Sequence, residues 1–178
     1  MCTELIITFH ELCHCDEWLR YITQEFHEQQ SKTRLLSGDL LTVHSGHIGE
    51  TAVVPKDLEG ANCHALIVTR PKTKYVDSDY LCYYLNSEIG ISRLEGLKVG
   101  STIAHINTKD LKNFRVLLPP LSEQKKIAEI LKFFDVDTNI VIEKLASLKQ
   151  EKKALMQQLL TGKKRVKIDS LVKEVEVA

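Results

Sequence analysis

The chain has 178 residues, 43% hydrophobic and 27% charged, enough for one domain with a real core plus an appendage. No run approaches the roughly 20 apolar residues of a membrane span, and Glu4 stands where a signal peptide would carry positive charge. The expectation is a cytoplasmic protein, with Cys2, Cys13, Cys15, Cys63 and Cys82 as reduced thiols, since an odd number without framework spacing does not suggest disulfides.

The formal net charge is zero, but its distribution is uneven. Residues 1–30 hold six carboxylates against Arg20 alone, and residues 149–167 hold seven Lys or Arg against Glu151 alone. A neutral total therefore does not exclude a polyanionic partner. The basic run can meet phosphates or simply solvate a helix face, and both readings stay open.

In chain order, Asp16 to Gln30 reads as helical in places, although its apolar pattern is poor. Leu40, Leu41 and Val43 predict a strand before the turn signal Ser45-Gly46, and Ile48 to Val54 a second strand closed by Pro55. His64 to Arg70 is a third strand, ended by Pro71. Asp77 or Ser78 caps a short helix through Asn86, with Tyr80, Leu81, Tyr84 and Leu85 on one side. Gly96 and Gly100 bracket a flexible loop. Asn107 to Asp110 turns into a helical turn, and Phe114 to Leu118 reads as a last strand before Pro119-Pro120.

Beyond the double proline the pattern changes in kind. Ser122 is placed as an N-cap, with Glu123 in the first turn where the helix dipole favours it. Ile127, Leu131, Phe134, Thr138, Val141, Leu145, Leu148, Lys152, Leu155 and Leu159 then alternate by four and three, a heptad seam. Thr161-Gly162 stops the helix. A helix of that length has too long an apolar stripe for one small domain to cover, so the expected partner is another long helix. A helix folded back over its own domain is the alternative. The fold class is α+β: a compact mixed α/β domain followed by a single long coiled-coil α-helix.

The segment Leu118-Pro-Pro-Leu-Ser-Glu-Gln-Lys-Lys-Ile-Ala-Glu-Ile-Leu131, with Asp135, the heptad helix and Leu159-Leu-Thr-Gly162, resembles the spacer region of type I restriction-modification specificity subunits. Upstream, Gly38-Asp39-Leu40-Leu41, Gly46-His47-Ile48-Gly49, Tyr80 to Leu85, Gly100-Ser-Thr and Asn107 are similar to the target-recognition domain of that family. The resemblance runs from about Tyr21 to Arg165. It implies residues 1–20 as an atypical or truncated start, 21–120 as the recognition domain, 121–162 as a dimerising spacer helix and 163–178 as a basic tail. A full specificity subunit carries two recognition domains and two spacer helices; here there is one of each, and the Leu-Gly-Asp/Glu element of a typical opening strand is not evident before Tyr21.

The resemblance implies a non-catalytic protein without a cofactor, whose partners supply adenine methylation and cleavage. Those partners would be double-stranded DNA, methyltransferase and restriction subunits, and a second copy bound through Ile127, Leu131, Phe134, Val141, Leu145, Leu148, Leu155 and Leu159. The alternative is a coiled-coil interaction module that binds partner subunits but has lost specific DNA recognition. Candidate DNA contacts are Lys32, Arg34, Arg70, Lys72, Lys74, Arg93 and Lys98, with Ser45, His47, Ser101, Thr102 and His105 as polar readers. His10-Glu11-Leu12-Cys13-His14 formally matches a zinc-protease pattern. With no sheet expected ahead of it to form a cleft, no catalytic metal is assigned. Whether His10, Cys13, His14 and Cys15 hold a structural ion stays open.

Overall fold

The computed structural model describes residues 4–7, 20–45, 48–97 and 105–167. The chain divides into two compact units, residues 1–131 and 132–178. In the first, strands β1 (Glu4–Ile7), β2 (Arg20–Ile22) and β5 (Asn62–Cys63) form one sheet in the order β2-β1-β5. Strand β1 pairs antiparallel with β2 and parallel with β5. A second, antiparallel sheet has the order β4-β3-β6, from β3 (Leu40–Val43), β4 (Thr51–Val53) and β6 (Leu66–Thr69). Helices α1 (Gln24–Gln29), α2 (Ser78–Asn86), α3 (Glu88–Glu95) and α4 (Thr108–Lys112) complete the domain, and α5 (Leu121–Leu160) leads out of it.

Strand β3 is the centre of the core, and all four of its residues are buried. Because successive strand side chains face opposite ways, it feeds two apolar clusters. Leu41 packs with Leu35, Val54, Ala61 and Cys63, while Leu40 packs with Ile48, Ile67, Leu85, Leu94 and Ile106. Burial pushes the Cys63 thiol up to about 11, so it sits in the core as a neutral group. At the open edge of the sheet, the Asn86 side chain substitutes for a strand. Its Nδ2 donates to the Thr51 carbonyl at 2.7 Å and its Oδ1 accepts from the Thr51 N–H at 2.9 Å.

Several expectations are corrected. Of the helical reading over Asp16 to Gln30, only Gln24–Gln29 is a described helix, and Arg20–Ile22 is strand. Strand β1 precedes the His10–His14 pattern, so the absence of a sheet ahead of it does not hold. The pattern itself lies outside the described residues. Helix α3 is an addition to the expected elements, and Phe114 to Leu118 is not a strand. The second strand is shorter than Ile48 to Val54, and the third shorter than His64 to Arg70. Ser122 lies inside α5; the carbonyl of Pro120 opens the helix by accepting from the N–H groups of Glu123 and Gln124.

The first turns of α5 are fixed to the domain by Gln124, which is buried. Its Nε2 donates to the carbonyls of Tyr75 (3.0 Å) and Pro119 (2.8 Å), and its Oε1 accepts the Asp77 N–H at 2.9 Å. Ala128 is buried one turn later. In the second unit the helix continues to Leu160, giving about 60 Å in all at 1.5 Å per residue. Gly162, at φ 72°, then turns the chain, and the Lys164 N–H donates to the Gln158 carbonyl. Among the described residues no helix is long and apolar enough to cross a membrane.

Gly90 sets the approach of α3 to α2. A Cβ there would lie 2.1 Å from the Tyr84 carbonyl oxygen and 2.6 Å from that of Leu85, backbone atoms that cannot swing aside. Gly90→Ala is expected to cost about 3 kcal/mol through overpacking, read as a lower urea midpoint at unchanged m-value.

Candidate nucleic-acid interface

Gly38 takes φ 85°, a conformation open to glycine, which lets the chain turn into β3. Its N–H donates to the Val54 carbonyl, and its carbonyl accepts from the Ser78 hydroxyl at 2.7 Å. The next residue, Asp39, is only 2% exposed, and Arg70 grips it with both arms: Nε donates to Oδ1 at 2.8 Å and Nη2 to Oδ2 at 2.7 Å. The Leu36 N–H also donates to Oδ2. Burial alone would raise the Asp39 pKa; the Arg70 and Leu36 hydrogen bonds and the Arg70 charge outweigh it and hold the carboxyl below its ordinary value. The Asp39 hydrogen bonds correspondingly raise Arg70.

This geometry sorts the candidate DNA contacts. Arg70 is among the expected DNA contacts, yet its guanidinium is committed to Asp39 and to the Arg34 carbonyl. Arg93 is committed too: it donates to the Tyr84 hydroxyl and the Arg115 carbonyl and stacks over the Phe114 ring at 4.9 Å. Arg34 reaches the His27 carbonyl at 3.4 Å, and its Nε is buried without a hydrogen-bond partner among the described residues. Lys32 and Lys72 are exposed, and Lys74 lies over the Tyr75 ring at 5.4 Å. Ser45 and His105, distant in sequence, meet in a β-bridge and are both exposed. His47, Lys98, Ser101 and Thr102 lie outside the described residues.

Five of the described candidates fall at two ends of the β4-β3-β6 sheet. Pairing of Leu40 with Thr69 puts Arg70 and the Lys72–Lys74 turn at the end where β3 begins. Pairing of Val43 with Leu66 puts Ser45 and His105 at the other. A strand of this length separates the ends by about 13 Å. The sequence pattern does not single out Asp39 or Gln124 as structural residues. Asp39 has a local signal, a Gly-Asp pair ahead of an apolar run; Gln124 lies in the segment that carries the family resemblance, but its structural role has no local signal, since its partners Tyr75 and Asp77 are 49 and 47 residues away.

Of the helix seam, Ile127 is half-buried and belongs to the domain unit. Leu131, Phe134, Val141, Leu145, Leu148, Leu155 and Leu159 are all exposed, between 37% and 64%. Thr138 and Lys152 share the same stripe and are exposed as well.

The described residues thus comprise a small α+β domain and a long helix whose heptad positions from Leu131 to Leu159 are exposed. Residues 16–150 match the type I restriction modification DNA specificity domain, and the chain belongs to that family, which is the non-catalytic specificity component. It is 32% identical over 152 residues to a Methanocaldococcus jannaschii protein named for the specificity subunit of the type I restriction enzyme MjaX, covering 80% of this chain and 35% of that protein. It is 38% identical over 96 residues to the MjaVIII specificity subunit of the same organism, covering 54% and 23%. The chain thus spans about a third or less of the length of these relatives. Among solved structures, its fold is similar to a chain from a structure describing complex assembly and conformational transition of the type I R-M system. There the TM-score is 0.64 at 21% identity, over 89% of this chain and 40% of that one. It is also similar to the HsdS subunit from Thermoanaerobacter tengcongensis, with a TM-score of 0.55 at 23% identity, over 70% and 33%.

Asp39→Asn should lower stability by about 1–2 kcal/mol at neutral pH, the smaller figure reflecting an Arg70 side chain that stays 55% exposed. Because the folded-state pKa is depressed, this contribution is present above the unfolded value near pH 4 and is lost as pH falls through the folded value. Urea midpoints of the two proteins should therefore differ most near neutrality and converge as the pH falls below the ordinary carboxylate range.

Proposed function

We propose that this chain reads DNA sequence through its α+β domain and pairs through α5 with a second copy, antiparallel, acting as a ruler for a bipartite target. The observation that carries the pairing is the seam from Leu131 to Leu159, exposed along its whole length. Left in water, such a stripe forgoes about 1.5–3 kcal/mol per large apolar side chain, and knobs-into-holes packing against an equivalent helix is the simplest way to recover it.

Charge supports the antiparallel sense. Residues 129–143 hold four carboxylates against Lys132, and residues 144–160 hold four lysines against Glu151. Antiparallel helices set the acidic half of each against the basic half of the other, whereas a parallel pair in register faces like with like. Lys152 points the same way: in the parallel arrangement two Lys152 ammonium groups would share one seam layer, and in the antiparallel one they separate.

Two recognition domains related by a twofold axis address an inverted repeat, with the helix setting the gap. In this reading Ser45 and His105, beside the candidates His47, Lys98, Ser101 and Thr102 in sequence, face base edges. Lys32, Lys72 and Lys74 neutralise phosphates. The family supports partner modification and restriction subunits that act where this protein binds.

Selection from a randomised DNA pool at two salt concentrations tests the proposal: a split inverted repeat should be enriched. Salt-sensitive binding without enrichment would instead indicate an interaction module that has lost specificity. Leu145→Glu with Leu148→Glu should convert dimers to monomers in sedimentation, and a dimer that persists removes the seam from the argument. Inserting seven helical residues after Glu143 should widen the preferred gap by about three base pairs, at 1.5 Å per residue and 3.4 Å per base pair, with the half-sites unchanged.

A further inference from the structure

We infer that Gln124 is a positioning residue that determines how strictly the spacing between half-sites is enforced; this rests on the DNA-reading dimer proposed above. On α5, Gln124 and Ala128 are the buried residues among those described. Ala128 is a small apolar contact with no directional preference. Gln124 is 1% exposed and engages both donors and its acceptor oxygen, on Tyr75, Pro119 and Asp77. A planar amide held at three points has one orientation: exchanging its oxygen and nitrogen would set an NH2 against the Asp77 N–H and an oxygen against two carbonyls.

The hold extends into the sheet. Asp77, whose N–H reaches Gln124, is also the N-cap of α2, accepting from the Tyr80 N–H at 3.0 Å. Its neighbour Ser78 donates to the Gly38 carbonyl at 2.7 Å, where the chain turns into β3. The first turns of α5 are thereby tied by directional bonds to the strand around which the domain is packed. A helix makes a long lever of any looseness at its base. A swing of about 5° moves a point about 60 Å along the axis by about 5 Å, more than one base pair of DNA.

The test uses the whole protein and a DNA pool in which the half-sites enriched by the unaltered chain are fixed and the gap is varied. The variants are Gln124→Met, which keeps the volume and removes the bonds, and Gln124→Asn, a milder change that keeps the amide but shortens its reach. Asn86→Ala serves as a control, removing two side-chain bonds to backbone elsewhere in the same domain. The unaltered protein and Asn86→Ala should each favour one gap, by about tenfold over gaps one base pair longer or shorter; Gln124→Met should favour the same half-sites with that preference reduced to about twofold. Gln124→Asn should fall between them, and it carries the test if Gln124→Met does not fold. A Gln124 variant that is less stable yet keeps the sharp gap preference would overturn the inference and leave a purely structural residue. Loss of half-site preference would overturn it too. If the unaltered protein enriches no split site at all, the DNA-reading dimer itself fails, an outcome visible before any variant is made.

Discussion

Strand β3 is buried on both faces, so every polar group where the chain turns into and leaves it must be satisfied from within the protein. The placement of the other elements answers to that constraint. Thr42, on the face it shares with Leu40, pairs its hydroxyl with that of Thr51 rather than with water. At the start of the strand, Gly38 makes the turn, Asp39 terminates it with a carboxylate, and Arg70 neutralises the carboxylate from the end of β6. Ser78 closes the remaining carbonyl and in doing so fixes the start of α2. A buried carboxylate without Arg70 would be costly; with it, the pair settles the register of the strand entrance against β6.

How much of this is legible in the sequence depends on the range of the interactions. The heptad of α5 and its stop at Thr161-Gly162 are local patterns, and they lie where the sequence puts them. So does the Asp77 cap, which needs only a residue three positions on. Phe114 to Leu118 misleads for an instructive reason. It does alternate, with Phe114 and Val116 more buried than Arg115 and Leu117, as an extended segment should. What holds it is the Arg93 side chain on the Arg115 carbonyl and the Phe114 ring rather than a ladder, and alternation alone cannot distinguish the two. Helix α3 is hidden by Gly90, which lowers helix propensity. The reason for a glycine there is tertiary, the closeness of α2, and so is absent from the local sequence.

The candidate interface shows the same limit in electrostatic form. Arg70 and Arg93 are natural candidates because a guanidinium suits phosphate and guanine, and they do make the directional, multi-point contacts that make arginine distinctive. Those contacts are internal, to a carboxylate 31 residues away and to a backbone carbonyl 22 residues away. The lysines, with a flexible stem and a compact charge, face solvent at Lys32 and Lys72. A basic residue type thus indicates the capacity to meet an anion, and only the fold says which anion it has already met.

The neutral overall charge looks like an argument against a DNA partner, and the structure explains why it carries little weight. Charge in this chain is segregated by task. The Asp39 carboxylate is buried and paired, so it adds to the total without facing an incoming phosphate. The carboxylates of residues 129–143 lie on a helix whose other half, residues 144–160, is basic, and in an antiparallel pair those two sets would be set against each other. The exposed Lys32, Lys72 and Lys74 share the domain surface with exposed carboxylates such as Asp57 and Glu59, so the field within a Debye length is set by where charges cluster and not by their total. Net charge summed over a chain is therefore a poor guide where charges of opposite sign are segregated along it.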